Sequence, residues 1–166
     1  PTVEDILSAK GSLYIDAVSG LIGTTGVSET LLSWELKVTT GWKAKYTVDT
    51  GNLYFAFAYF DRDSFSAEFT ATFEHNAAAV AQKALFRAGT PRLVRLNIPG
   101  SALTTGGTSY QNKTLRIDMA LVYTEWEALD ADDGNSIVQV TGTVGYDPTW
   151  AKALEIIVVN QLASVP

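Results

Sequence analysis

Phe65-Ser66-Ala67-Glu68-Phe69-Thr70-Ala71-Thr72-Phe73-Glu74 alternates apolar and polar residues without a break. Period-two alternation sends successive side chains to opposite faces of a β-strand. Phe65, Ala67, Phe69, Ala71 and Phe73 are therefore expected on a core, and Ser66, Glu68, Thr70, Thr72 and Glu74 on a polar face.

The same pattern recurs on either side. Leu32, Trp34, Leu36 and Val38 alternate with Ser33, Glu35, Lys37 and Thr39. Leu115, Ile117, Met119, Leu121 and Tyr123 alternate with Thr114, Arg116, Asp118 and Thr124. Val138, Val140, Val144 and Tyr146 alternate with Gln139, Thr141 and Thr143. Such strands are half-buried and antiparallel. Shorter strands are expected over 12–16, 93–98 and 154–160. Residues 53–60 are apolar at nearly every position, which predicts cover on both faces, either as a central strand or with one face docked on a partner. Trp126 falls out of phase with Tyr123, and a β-bulge between them would return it to the core.

One segment reads as helix. Asn76 is a capping residue, 77–84 is rich in helix formers, and Ala88-Gly89 with Pro91 ends it. Val80, Ala81, Ala84 and Leu85 form an apolar stripe at helical spacing. Asp147-Pro148-Thr149-Trp150 has the form of a single capped turn, and Asp133-Gly134-Asn135 that of a hairpin tip. The fold expected is mostly β, an antiparallel sandwich or partly open barrel with one flanking α-helix. With no repeat and no long linker, residues 1–166 read as one domain. The chain begins at Pro1 and not Met, so it is expected either to begin after processing or to be the C-terminal part of something longer.

Composition narrows the function. The chain is 46% hydrophobic and only 18% charged, against about 25% charged in ordinary soluble domains. Part of its apolar surface is therefore expected to be covered by other subunits. A net charge of −6 argues against a general nucleic-acid-binding surface, which needs clustered Lys and Arg. No apolar run approaches the ~18 residues of a membrane span. There is no cysteine and one histidine, His75, so transition-metal sites of the usual kind have no ligand set; no cofactor is expected. Asp130, Asp132 and Asp133 lack the spacing of a calcium loop, and Gly20, Gly23 and Gly26 lack the Lys-Ser/Thr of a phosphate loop. Glu125 and Glu127 could reach the separation of a glycosidase pair, but no sugar cleft accompanies them. A chain with many flat polar strand faces and no convergent polar cluster is built to bind or assemble.

A series of short segments carries a resemblance. Phe86-Arg87-Ala88-Gly89-Thr90-Pro91-Arg92-Leu93-Val94-Arg95-Leu96 is followed by Lys113-Thr114-Leu115-Arg116-Ile117-Asp118, Tyr123-Thr124-Glu125-Trp126, Asp133-Gly134-Asn135, Gly145-Tyr146-Asp147-Pro148 and Val158-Val159-Asn160-Gln161-Leu162. In order and spacing this resembles the major tail tube proteins of long-tailed bacteriophages. Upstream, Ser12-Leu13-Tyr14-Ile15-Asp16 and Gly23-Thr24-Thr25 are similar to the same group.

The resemblance implies a virion structural protein, not an enzyme. Its copies would form a ring, hexameric or pseudo-hexameric, by joining sheets between subunits. Rings would stack, with neighbouring tail proteins at the ends, into a tube through which DNA passes without specific binding. Assembly would take place in the host cytoplasm, with no membrane involved. Loops over 41–52 and 104–111 would reach toward adjacent rings. Candidate channel-lining residues are Glu35, Glu68, Glu74 and Asp118; candidate contacts between subunits or rings are Trp42, Lys43, Tyr46, Tyr54, Phe60 and Tyr110. The alternative is a carbohydrate-binding, lectin-like β-sandwich that uses Trp42, Trp126 or Trp150 as a stacking platform.

Overall fold

The computed structural model describes residues 4–48, 51 and 56–161. After a short 3-10 turn at Ser8–Lys10 come β1 (Ser12–Ala17), β2 (Gly26–Val27), β3 (Leu31–Lys45) and β4 (Phe57–Glu74). The helix α1 (Ala77–Arg87) follows, then β5 (Arg92–Ala102), β6 (Asn112–Trp126), β7 (Asp130–Asp132), β8 (Asn135–Val144) and β9 (Leu154–Val159). All strand pairings are antiparallel, in the order β2-β1-β5-β6-β8-β4-β3, with β9 beside β6 and β7 beside β8.

This sheet rolls up on itself. Its end strands β2 and β3 are consecutive in the chain, and the step from Val27 to Leu31 can span at most roughly 14 Å. The roll is made by β6, which serves both layers. On one edge, residues 114–119 pair with β9 and residues 121–126 with β8. The register shift between Tyr123 and Glu125 is the expected bulge. It turns Trp126 inward, where its ring meets Phe86, Tyr123 and Phe73 at centroid distances of 5.9, 6.0 and 6.5 Å.

The core lies between the layers. Ala67, Phe69, Ala71 and Phe73 of β4 and Val138 and Val140 of β8 face Leu13, Ile15, Val94, Leu96, Ile117, Met119 and Leu121. The alternation read from β4 is thus its burial pattern from Ala67 to Phe73, whereas Phe65, expected on the core, is exposed. Close packing leaves no room at Gly142, where a Cβ would stand 2.8 Å from Leu121 Cγ. Asp133 and Gly134, at φ 52° and 90°, form the tight turn that opposes Asp132 and Asn135; positive φ at both central residues matches the twist of a hairpin.

The helix begins and ends where its capping residues predict. Asn76 Oδ1 accepts from Ala79 N at 3.1 Å, while Asn76 Nδ2 donates to Glu29 O at 2.8 Å and ties the helix start to the start of β3. Gly89, at φ 60°, stops the helix in the left-handed conformation that favours glycine.

Several expectations are corrected. The buried face of α1 is Ala79 and Gln82 with Phe86 beside them; Val80, Ala81 and Ala84 face solvent, and Leu85 is half-buried. In β3 a bulge between Leu31 and Ser33 puts Leu31 against the core and leaves Leu32 exposed. Strand β8 ends at Val144, so Tyr146 is exposed and not part of the core. Asp147–Trp150 does form the expected capped turn, with Asp147 Oδ1 accepting from Trp150 N at 2.6 Å, but adds no helix.

In the described part of the segment expected to be covered, no second layer of this chain lies over it as over a central strand. Residues 52–55 lie outside those described, and Phe57, Tyr59 and Phe60 are exposed. Before Glu68, β4 pairs only with β3. These residues, with 41–45 of the segment expected as a loop, are the base of a projecting two-stranded arm.

Candidate functional site

The two layers present different outer faces. On the β5–β6 side, strand alternation places polar side chains outward, and loops of the same chain cover them. Asp16 accepts from Gly23 N (2.7 Å), Thr24 N (3.2 Å), Thr24 Oγ1 (2.7 Å) and Thr25 N (2.8 Å). Burial pushes the Asp16 carboxyl up, but the donors from Thr24, Thr25 and Gly23 outweigh it and hold the group at about 2. This ties the 18–25 loop down over β1. Beside it, Arg95 Nε and Nη2 donate to the two oxygens of Asp118 at 2.7 and 2.8 Å. Arg116 Nε lies 3.3 Å from the same carboxylate and its Nη2 3.9 Å from Glu155; Tyr110 places its ring 5.8 Å from the Arg116 guanidinium. Gly23 sits so close that a Cβ there would meet Arg95 Nη1 at 2.3 Å.

Asp118 is 1% exposed. Its expected place on a channel wall is therefore corrected: it is a buried counter-ion to two arginines. Tyr110, a candidate contact residue, is half-buried over Arg116.

The outer face of β3, β4 and β8 is bare. Register puts Glu35, Thr70 and Thr141 in one row, Lys37, Glu68 and Thr143 in the next, and Ser33, Thr72 and Gln139 on the other side. Glu125 joins the first row opposite Thr141, and Glu127 accepts from Gln139 Nε2 at 3.4 Å. Glu35 and Glu68 are exposed and Glu74, opposite Ile137, is half-buried. The result is a flat Ser/Thr/Gln surface carrying Glu35, Glu68, Glu74, Glu125 and Glu127 against one cation, Lys37. Sequence reasoning missed that Glu125 and Glu127 belong to it. The signal was their placement either side of the inward-turned Trp126.

This face ends in open edges. Along its whole length β3 pairs only with β4, and beyond Leu121 no described strand pairs with β6 on its β5 side. Unpaired edges offer backbone donors and acceptors to another strand.

The arm carries the exposed aromatics Trp42, Phe57, Tyr59 and Phe60. Trp42 opposes Phe60 and Ala44 opposes Ala58 on one side of it, while Lys43 opposes Tyr59 and Lys45 opposes Phe57 on the other. Trp42 (64% exposed) and Phe60 (49%) contact each other at 5.6 Å, and Tyr46, just past the end of β3, is exposed. One residue, Gly41, separates Thr40 from Trp42 on β3, and the register with β4 shifts there. Gly41, at φ 75°, makes the bulge at the arm's base. Lys43 Nζ bonds Asp61 at 2.5 Å; with Ser64 it holds the Asp61 carboxyl at about 2. Tyr54 lies outside the described residues.

Of the tryptophans offered as a sugar platform, Trp126 is packed among Phe73, Phe86 and Tyr123, and Trp150 is half-buried with Lys152 over its ring. Only Trp42 stands exposed. Among the described residues no group of His, Asp and Glu could hold a metal ion, and no helix is long and apolar enough to cross a membrane.

These features define a mostly antiparallel β protein with one helix and a tail-tube-like fold. The chain is similar to the solved structure of the SPP1 tail tube, with a TM-score of 0.56 and 10% sequence identity over 84% of this chain and 75% of that one. No family profile matches the sequence, and no curated protein does.

Proposed function

We propose that this chain is a virion structural protein whose copies close into rings and stack as a tail tube. The observation that carries this reading is the bare, acidic face of β3, β4 and β8 with an unpaired edge on either side. Joining the β3 edge of one copy to the 122–126 edge of the next extends that face into a closed barrel and leaves no edge open to aggregation. Six such domains, or three chains carrying two each, would close the ring. The arm and the 104–111 loop reach toward the adjacent ring, and other tail proteins cap the tube in the virion.

Glu35, Glu68, Glu74, Glu125 and Glu127 then line the channel. Repulsion between carboxylates and phosphates reaches only about one Debye length, ~8 Å at physiological ionic strength. It therefore acts on DNA grazing the wall and keeps it from sticking without opposing its passage along the axis.

Electron microscopy of the purified protein tests the reading. Rings or hollow tubes are expected. A persistent monomer that binds an oligosaccharide would replace it with the lectin-like alternative.

A further inference from the structure

On the bare face of β3, β4 and β8 the cation Lys37 stands at one margin and two carboxylates stand at the other. Lys37 lies on β3, whose far side pairs with no described strand. Glu125 and Glu127 lie at the end of β6, past the point where β5 leaves it. Lys37 is exposed and makes no ion pair among the described residues, although Glu68 stands opposite it on β4. Neither glutamate makes one, and Glu127 has only the 3.4 Å bond from Gln139 Nε2.

The two margins also match in direction. β3, β4, β8 and β6 are each antiparallel to the next, so β3 and the 122–126 stretch of β6 run opposite ways. Copies related by rotation about an axis along the strands keep their strand directions. The β6 edge of one copy therefore meets the β3 edge of the next antiparallel, like every other pair in the sheet. A foreign sheet could occupy one edge but would leave the other open, whereas one contact repeated from copy to copy fills both.

Register then decides what meets Lys37. Within one copy its row runs through Glu68 and Thr143 to Val122. Closing a sheet into a barrel requires a stagger along the strands. On β6 the stagger can go only one way, because β5 occupies the same edge up to Leu121. It carries the incoming Lys37 off Val122 and toward Glu125 and Glu127. These lie about 7 Å apart along the strand, and a lysine placed between them reaches either.

We propose that Lys37 of each copy seats between Glu125 and Glu127 of the next, and that this contact sets the register at which the two edges join. It rests on the assembly reading above and names the residues that carry the junction. A cation at that place lets acidic faces come together that like charge would otherwise hold apart.

The test uses the full chain in two variants, Lys37→Glu and the combined Glu125→Lys and Glu127→Lys. All three positions are exposed, and unaltered thermal midpoints check that both variants fold. Each alone sets like charges against each other at every junction, and is expected to slow tube growth in light scattering more than about ten-fold. Mixed in equal amounts, the two are expected to grow tubes again, because every junction of an alternating ring regains opposite charges. The three changes combined in one chain restore growth in the same way. Growth of either variant alone at the parent rate overturns the pairing, and so does growth that neither the mixture nor the combined chain restores. Both results leave the assembly reading standing. A parent chain that forms neither rings nor tubes overturns that reading, and the pairing with it.

Discussion

Arg95 and Asp118 face each other directly across β5 and β6, and the guanidinium meets both carboxylate oxygens at 2.7 and 2.8 Å. A bidentate pair fixes orientation as well as charge. It sits at the join between the sheet and the loops that cover it.

Removing one partner of a buried pair leaves the other uncompensated. Asp118→Ala is expected to cost about 3 kcal/mol, because Arg95 and Arg116 would then confront each other with no anion between them. Urea unfolding measures this, and a loss below 1 kcal/mol on the order-of-magnitude scale for exposed pairs would show that the cluster is solvated.

Gly142→Ala forces a methyl into Leu121. Overpacking of this kind costs roughly 1–3 kcal/mol, and Leu121→Val in the same chain should recover part of it. A double-mutant cycle on thermal midpoints reads the coupling; additive losses would place the clash elsewhere.

Asp16 gives the domain a defined acid response. Its carboxyl is lowered from 3.8 to about 2 in the folded chain, so the folded state binds its proton less readily than the unfolded one. The stabilisation is fully present above pH 3.8 and is lost as pH falls toward about 2. Asp16→Asn should therefore lower stability at neutral pH and flatten its fall in that window. Equal slopes for both proteins would assign the acid response to other carboxyls.

Exposed and packed tryptophans should separate cleanly. Trp42→Ala leaves the unfolding midpoint of the isolated subunit nearly unchanged and abolishes tubes, whereas Trp126→Ala costs about 3–5 kcal/mol through its cavity. Calorimetry and microscopy on both variants check this, and intact tubes from Trp42→Ala would remove the arm from ring stacking.

Glu68→Lys and Glu74→Lys put cations on the bare face. Tubes are expected to form normally, while DNA ejection slows or DNA is retained in the tube. Unchanged ejection from virions carrying both would take this face off the channel wall.

Much of this was legible in the sequence, for physical reasons. The β4 alternation, the bulge before Trp126, the Asn76 and Gly89 helix ends and the Asp133-Gly134 turn are local signals, set by a residue and its near neighbours. The failures are all non-local. Alternation correctly put Asp118 on the side away from the core, but the loops that bury it carry no periodicity. The α1 stripe of Val80, Ala81 and Ala84 is a real helical pattern. The face that packs is instead set by where Asn76 anchors the first turn to Glu29 and Thr30, which brings Ala79 and Phe86 onto β6. Residues 57–60 looked like a covered strand because composition reports that a surface avoids water and not which chain covers it.

The sharing of β6 between both layers also has a mechanical consequence. Its first half is bonded to β5 on one edge and β9 on the other, and its second half to β8, so the β9 and β8 ladders follow one another along a single strand. A pull between its ends loads these ladders in shear, so many hydrogen bonds must yield together and none can be peeled in turn. Forced unfolding is governed by the unfolding barrier and not by equilibrium stability. For the tube wall proposed above, that barrier matters more than a deeper energy minimum.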